Sequence, residues 1–168
     1  SLGGLAYLKP APGRMQTVTG HPKGAQIVVD FAHTPDALRA ALEALRPEVS
    51  HKLYVLFGCG GDRDSAKRPL MGKIAAQLSD VVIVTDDNPR SEVPADIRSA
   101  VLTGASQGEA EVIEVGDRRE AIARALKLAN AGDVVAILGK GHETGQEING
   151  EVLPFDDRAV AIQESSRA

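Results

Sequence analysis

Short apolar runs that break into glycine or charge, each followed by a helical repeat, set the rhythm of this chain. Residues 25–32 (AQIVVDFA), 52–61 (KLYVLFGCGG), 80–90 (DVVIVTDDNPR) and 132–143 (GDVVAILGKGHE) predict strands that run into polar turns. The run at 52–61 lacks strict alternation, which predicts a strand covered on both faces. RMQTVTG, 14–20, alternates polar and apolar positions, and EAEVIEVG, 109–116, is a weaker strand pattern. Between the runs lie helical repeats. Residues 34–48 offer Thr34 as N-cap, Pro35 at the first helical position and Asp36 in the first turn. Residues 65–79 carry Leu70, Ile74, Ala75 and Leu78 at helical spacing, which predicts one buried side made of those four. Residues 93–105 and 117–129 are further helices.

Strands alternating with helices at this spacing imply right-handed crossovers and a mainly parallel α/β sheet with helices on both faces. The tail differs. QEINGEVLPF, 146–155, holds an Asn-Gly pair that predicts a small hairpin, and 157–168 a last helix. Residues 1–13 are rich in Gly and Pro and are expected to be a linker, leaving 14–168 as one domain.

Composition narrows the partners. The chain has 168 residues, 43% of them hydrophobic and only 3% aromatic, enough for one aliphatic core. Lys plus Arg number 19 against 23 for Asp plus Glu, a net charge of -4 that gives no broad cationic field for nucleic acid. Cys59 is the one cysteine, so no internal disulfide is expected. No apolar run approaches a membrane span, and the start is not signal-like, so a cytoplasmic protein without membrane partners is expected. The first residue is Ser rather than Met, read as a mature product or an excised piece.

In an open α/β sheet ligands bind beyond the carboxyl ends of the strands. Four runs end in polar groups there: DFAHTP (30–35), GCGGDRD (58–64), TDDNPR (85–90) and GKGHE (139–143). Arg63 follows glycines and stands between two acids; its fork of donors suits a carboxylate or phosphate, or else it bridges Asp62 and Asp64. The glycine spacing is neither a dinucleotide fingerprint nor a phosphate-binding loop. In DNPR, Pro89 fixes its own φ and biases Asn88 toward extended geometry. Asn88 donates and accepts while Arg90 only donates, which suits an amino acid, with Asp86 or Asp87 supplying an anion; an Asx-type turn with solvated charges is the alternative. Glu143 could accept from an ammonium group. One His beside one Glu is no metal ligand set, so no metal is expected. Asp30 suits a sugar hydroxyl with His33 beside a base or phosphate, or the two form a surface pair or helix-start contact. Lys67 and Arg68 open a helix against its dipole, pointing to a compensating anion, either a ligand or an acidic neighbour. Cys59 is read as a small strand-end residue rather than a nucleophile.

DFAHTPDAL, FGCGGDRDSAKRPLMG, VTDDNPRSE and GKGHE, in that order, resemble the carboxy-terminal domain of the Mur ligases, over a stretch from about Gly13 to the end. The resemblance implies a Rossmann-like domain that brings the incoming amino acid to an acyl phosphate in an ATP-dependent ligase and closes over the nucleotide. It implies that Arg63, Asn88, Pro89, Arg90, Gly139 and Glu143 form the amino-acid site, Asn88 and Arg90 near the distal end. Arg14 would reach toward the ATP phosphates, with Asp30 and His33 by the nucleoside. The DNPR form resembles members that add meso-diaminopimelate; members adding L-lysine usually lack that arginine, and a binding module without catalysis is a further alternative. Phe31 stands where many relatives have tyrosine. The implied partners are meso-diaminopimelate, the ligase's central domain and a UDP-MurNAc-dipeptide. ATP and Mg would be held mostly by the central domain, whose phosphate loop, magnesium ligands and carbamylated lysine have no counterpart here. No catalysis by this chain alone is expected.

Overall fold

The computed structural model describes residues 14–168; the linker expected over 1–13 lies outside the described residues. Strands β1 (Gln16–Val18), β2 (Gln26–Asp30), β3 (Leu53–Phe57), β4 (Val81–Val84), β5 (Glu111–Glu114) and β6 (Val134–Leu138) form a six-stranded sheet. Its order is β1-β2-β6-β3-β4-β5. β1 runs antiparallel to β2, and the other pairings are parallel. The predicted α/β architecture with a mainly parallel, Rossmann-like sheet is what the chain adopts.

The helices are α1 (Pro35–Leu45), α2 (Lys67–Leu78), α3 (Pro94–Ala105), α4 (Arg118–Leu128) and α5 (Asp157–Ser165). The period-two geometry of the strands sends successive side chains to opposite faces. Val55, Phe57, Val82, Val84, Ala136 and Leu138 meet α1, α2 and α3 through Leu38, Leu42, Met71, Ile74 and Val101. Leu56, Ile83, Val135 and Ile137 meet α4 and α5 through Ile122, Leu126 and Val160. Every residue of β3, β4 and β6 is buried, which is why those strands read as continuous apolar runs. Burying one such aliphatic side chain contributes about 1.5–3 kcal/mol.

Three helices start on side-chain caps: Thr34 Oγ1 accepts from Ala37 N at 3.2 Å, Asp117 Oδ1 from Glu120 N at 2.9 Å and Asp156 Oδ1 from Ala159 N at 3.1 Å. α2 begins without a side-chain cap. Its buried face also corrects the expected one. Leu70 is 54% exposed, and Met71 takes the core position with Ile74 and Ala75, an i, i+3, i+4 set rotated one residue from the expected stripe. Leu78 is only partly buried at the rim of that core.

After β6 the chain makes the predicted hairpin, β7 (Gly145–Ile148) and β8 (Glu151–Pro154). Asn149 and Gly150 occupy its turn with φ of 49° and 79°, the paired positive angles of the tight hairpin turn for which Asn-Gly is suited. β8 is solvent-exposed throughout, whereas β7 folds back toward the sheet's carboxyl edge.

Candidate functional site

Because β2, β3, β4 and β6 are mutually parallel, the four polar turns that follow them leave the same edge of the sheet. They enclose a cavity of about 350 Å³. Phe31, His33 and Thr34 line it from the turn after β2, and Gly58, Cys59, Gly60 and Arg63 from the turn after β3. Asp87, Asn88 and Arg90 contribute after β4, and Gly139 and Glu143 after β6. Five of the six residues expected to bind an amino acid, Arg63, Asn88, Arg90, Gly139 and Glu143, thus share one cavity with His33. Pro89 does not line it; its role is in the wall.

That wall is made where two turns are joined backbone to backbone. Gly61 N donates to Asn88 O at 2.8 Å, and Arg90 Nη1 donates to Gly61 O at 2.9 Å. A Cβ at Gly61 would run into the Pro89 carbonyl, so glycine is needed there for close approach rather than for a phosphate. At Gly139 the requirement is conformational. With φ at 115°, the chain turns sharply out of β6 in a region side chains rarely adopt.

Arg90 itself has φ of 53°, unusual for a residue with a Cβ. The hairpin holds it there: Arg90 N donates to Glu147 O at 3.0 Å, Asn149 N donates to Arg90 O at 2.8 Å, and Arg90 Nε pairs with Glu147 Oε2 at 3.2 Å. Two of the five guanidinium N–H groups are therefore used, and the remainder have no partner among the described residues. Asn88 Oδ1 accepts from Lys140 Nζ at 3.0 Å and from Glu147 N at 2.9 Å. Gln146 Nε2 adds a bond to Asp87 O at 2.7 Å.

The acids divide sharply. Asp86 turns away and pairs with Arg98 at 2.6 Å; burial still holds its carboxyl above the usual range, although Arg98 opposes the shift. Asp87 lies 2.9 Å from Lys140 Nζ, though no hydrogen bond is directed at the Oδ1 involved. Among the described residues Glu143 has no such partner side chain. Burial, and then the charge of Asp87, raise its pKa above the ordinary glutamate value, with Lys140, His33 and Arg90 opposing the shift.

Arg63 is exposed, and its one hydrogen bond among the described residues is from Nη1 to the Asp62 carbonyl at 2.9 Å. It does not bridge its neighbouring acids: the Asp62 carboxylate accepts from Ser91, and Asp64 Oδ1 accepts from Ala66 N. The compensating anion for Arg68 is an acidic neighbour, Glu92, at 2.7 Å. Lys67 instead donates to the His33 carbonyl at 3.0 Å and lines the cavity.

Asp30 accepts backbone N–H groups on both oxygens, Met15 N and Ala32 N at 2.8 Å each, so it braces the turn after β2. His33 Nδ1 lies 2.8 Å from Phe31 O; the carbonyl accepts, so Nδ1 carries the proton and Nε2 is left as an acceptor. Arg14 is exposed at the edge of the described chain. Cys59 is buried against Met71, and burial pushes its thiol up to about 11, against a nucleophilic role. Among the described residues no group of three or more His, Cys, Asp or Glu could hold a metal ion.

Three residues of the site were not singled out from sequence: Lys140, Glu147 and Arg118. Lys140 and Arg118 are fully buried charges, and Arg118 ties Asp86 O and Leu138 O, two strand ends under the cavity, to Asp157. A lysine between two glycines at the end of an apolar strand, in GKGHE, was the available signal for the first.

The profile of the family described as "Mur ligase, glutamate ligase domain" matches residues 13–141. A UDP-N-acetylmuramoyl-L-alanyl-D-glutamate–2,6-diaminopimelate ligase of Zymomonas mobilis is 57% identical over 165 residues, 96% of this chain and 33% of its own. The enzyme of the same name from Chelativorans sp. is 55% identical over 94% of this chain and 32% of its own. A solved structure of a ligase of that name superposes with a TM-score of 0.87 at 46% identity, covering 95% of this chain and 32% of that one. The chain thus spans about a third of the length of the curated relatives it matches. With four polar turns gathered at one sheet edge and a family profile covering most of its length, this chain belongs to the Mur ligases, in their glutamate ligase domain family.

Proposed function

We propose that this chain is the domain that receives the incoming amino acid in an ATP-dependent ligase adding meso-diaminopimelate to UDP-N-acetylmuramoyl-L-alanyl-D-glutamate in peptidoglycan synthesis. The observation that carries the reading is the division of charge within one cavity. Arg63 and Arg90 offer unspent guanidinium donors, and Glu143 offers a half-buried carboxylate with no ion-pair partner among the described residues. Diaminopimelate ends in a carboxylate and an ammonium at both termini, so it uses both signs. L-lysine ends in an ammonium alone and would leave Arg90 facing a like charge. Relatives named for diaminopimelate addition, at 57% and 55% identity, support the choice.

In this reading the domain contributes positioning. Holding the amino group against an acyl phosphate converts a bimolecular encounter into an oriented one. The described residues include no cluster able to hold a metal, and both Asp30 oxygens already take backbone N–H groups. The described residues alone therefore do not supply a magnesium cage. Magnesium and most ATP contacts are assigned to the central domain of the same ligase, with the UDP-MurNAc-dipeptide. Arg14 and His33 are assigned to the face that meets the nucleotide. Among the described residues no helix is long and apolar enough to cross a membrane; a reaction on ATP and a nucleotide-linked sugar assigns the ligase to the cytoplasm.

The test is a titration of the chain, followed by NMR, with meso-diaminopimelate, L-lysine and L-glutamate. Saturable shifts from diaminopimelate alone, at residues around the cavity, are expected. No response to any of the three at millimolar concentration would sink the reading of this cavity as an acceptor site.

A further inference from the structure

We infer that Lys140 is a positioning residue: it locks the Asn88 amide with its oxygen inward and its NH2 toward the cavity, so that the subsite beside Arg90 takes a carboxylate. The ligand's identity in this inference rests on the function proposed above; the orientation of the amide does not.

Lys140 leaves the end of β6 with its side chain fully buried. Its Nζ lies 3.0 Å from Asn88 Oδ1, 2.8 Å from Gly145 O and 2.9 Å from Asp87 Oδ1. An ammonium group has three N–H donors and no lone pair; two bonds are directed at Asn88 Oδ1 and Gly145 O, and Asp87 Oδ1 faces the same group as an ion pair without a directed hydrogen bond. The second neighbour of the Asn88 amide oxygen is Glu147 N, at 2.9 Å, which also only donates. An amide meeting two obligate donors must turn its oxygen to them. The opposite flip would set an NH2 group against the buried ammonium and the half-buried Glu147 N–H, leaving both without their acceptor. Asn88 Nδ2 therefore faces the other way, and among the described residues it has no hydrogen-bond partner. Asn88 lines the cavity beside Arg90.

The consequence is chemical. Two N–H groups of Asn88 stand next to the guanidinium donors that Arg90 has left after Glu147 and Gly61. The nearest acid of the same turn, Asp87, has its charge matched by Lys140. Lys140 thus does two things for a negative ligand end: it supplies the donor orientation and offsets part of the charge that would repel it. It also ties the hairpin to the turn through Gly145 O, so the hairpin, the amide and the acid are set by one ammonium group.

The experiment uses the whole chain, labelled with 15N, and compares it with Lys140→Met and Asn88→Asp. Lys140→Met removes the anchor. Asn88→Asp keeps an oxygen for both inward donors but replaces the NH2 facing the cavity with a second carboxylate oxygen. Wild type is expected to show Asn88 side-chain NH signals that move on adding meso-diaminopimelate, and to prefer it to L-lysine by roughly 10-fold or more. Lys140→Met, with a folded spectrum, is expected to lower that preference to less than about 2-fold, and Asn88→Asp to reverse it. Variants that keep the wild-type preference, or that weaken both ligands by the same factor, overturn the inference while leaving the proposed function intact. If Lys140→Met does not fold, Asn88→Asp alone decides. Wild type that binds neither ligand overturns the proposed function instead; nuclear Overhauser contacts of the Asn88 NH2 protons then decide this inference, strong contacts to the Glu147 N–H in wild type refuting it and their appearance only on removal of Lys140 supporting it.

Discussion

Arg118 and Arg90 both reach the carboxyl edge of the sheet, and each pairs with a carboxylate from the last quarter of the chain, yet their surroundings differ in every respect that matters. Arg118 and Asp157 are both 0% exposed, and Arg118 makes four hydrogen bonds: two to Asp157, one to Asp86 O and one to Leu138 O. Arg90 is 18% exposed and Glu147 43%, and two guanidinium hydrogen bonds are made. The first pair is closed, with nearly every donor spent on the protein. The second is held in place by backbone bonds on both sides but keeps donors facing a cavity. A dry, saturated arginine fixes the frame, whereas a tethered, unsaturated one is ready for a ligand.

Removing the closed pair should give the largest effect. Arg118→Ala leaves Asp157 charged and buried without a partner and frees two strand-end carbonyls, so a loss of about 3–5 kcal/mol in urea denaturation is expected. Replacing both residues by Leu should recover much of that loss, because the uncompensated charge disappears with its partner. A single variant that stays within about 1 kcal/mol of wild type would mean the pair is not the frame it is taken for.

Breaking the open pair should be felt in binding more than in folding. Arg90→Ala removes charged hydrogen bonds to the ligand, each typically worth about 1.5–3 kcal/mol, so meso-diaminopimelate affinity should fall roughly 10- to 150-fold by calorimetry. Its half-solvated partnership with Glu147 should contribute less than about 1 kcal/mol to stability. If Arg90→Ala costs stability as Arg118→Ala does while affinity is unchanged, the contrast between frame and site collapses.

The same contrast separates what the sequence carries openly from what it hides. Strands, helices and the convergence of four polar turns follow from local periodicity and from parallel order, which each element announces by itself. The rotation of α2 does not: Leu70 and Met71 both fit a helical stripe, and only the neighbouring α3 decides which is covered. The partners of Lys140 are equally hidden. Asn88 is 52 positions away, and the bond depends on how β6 and β4 flank β3 and on how the hairpin folds back. Residues quoted for their donor chemistry, Asn88 and Arg90, do gather at the cavity. What periodicity could not reveal is that half of Asn88 is spent inward, so that its two functional ends are no longer equivalent.

Glu143 supplies the finest test, since it is the cavity residue that ought to be better off changed as far as folding is concerned. Burial, and next the charge of Asp87, raise its pKa in the folded chain. Folding therefore favours the protonated form. The ionised form is a cost that is absent below the unfolded-state value, near 4.3, and grows as pH rises through the raised folded value. Glu143→Gln removes that cost, so its denaturation midpoint should exceed wild type at about pH 7, by no more than about 1 kcal/mol because the group is half-solvated, with the gap closing toward about pH 4. The same variant should bind meso-diaminopimelate less well, having lost the acceptor for an ammonium group. Adding the ligand should narrow the gap in wild type's favour at pH 7, because the bound cation supplies the partner the free site lacks. A Glu143→Gln protein that is less stable at neutral pH would show that the carboxylate is already matched within the chain, and would place Glu143 with Arg118 among the closed groups rather than with Arg90 among the open ones.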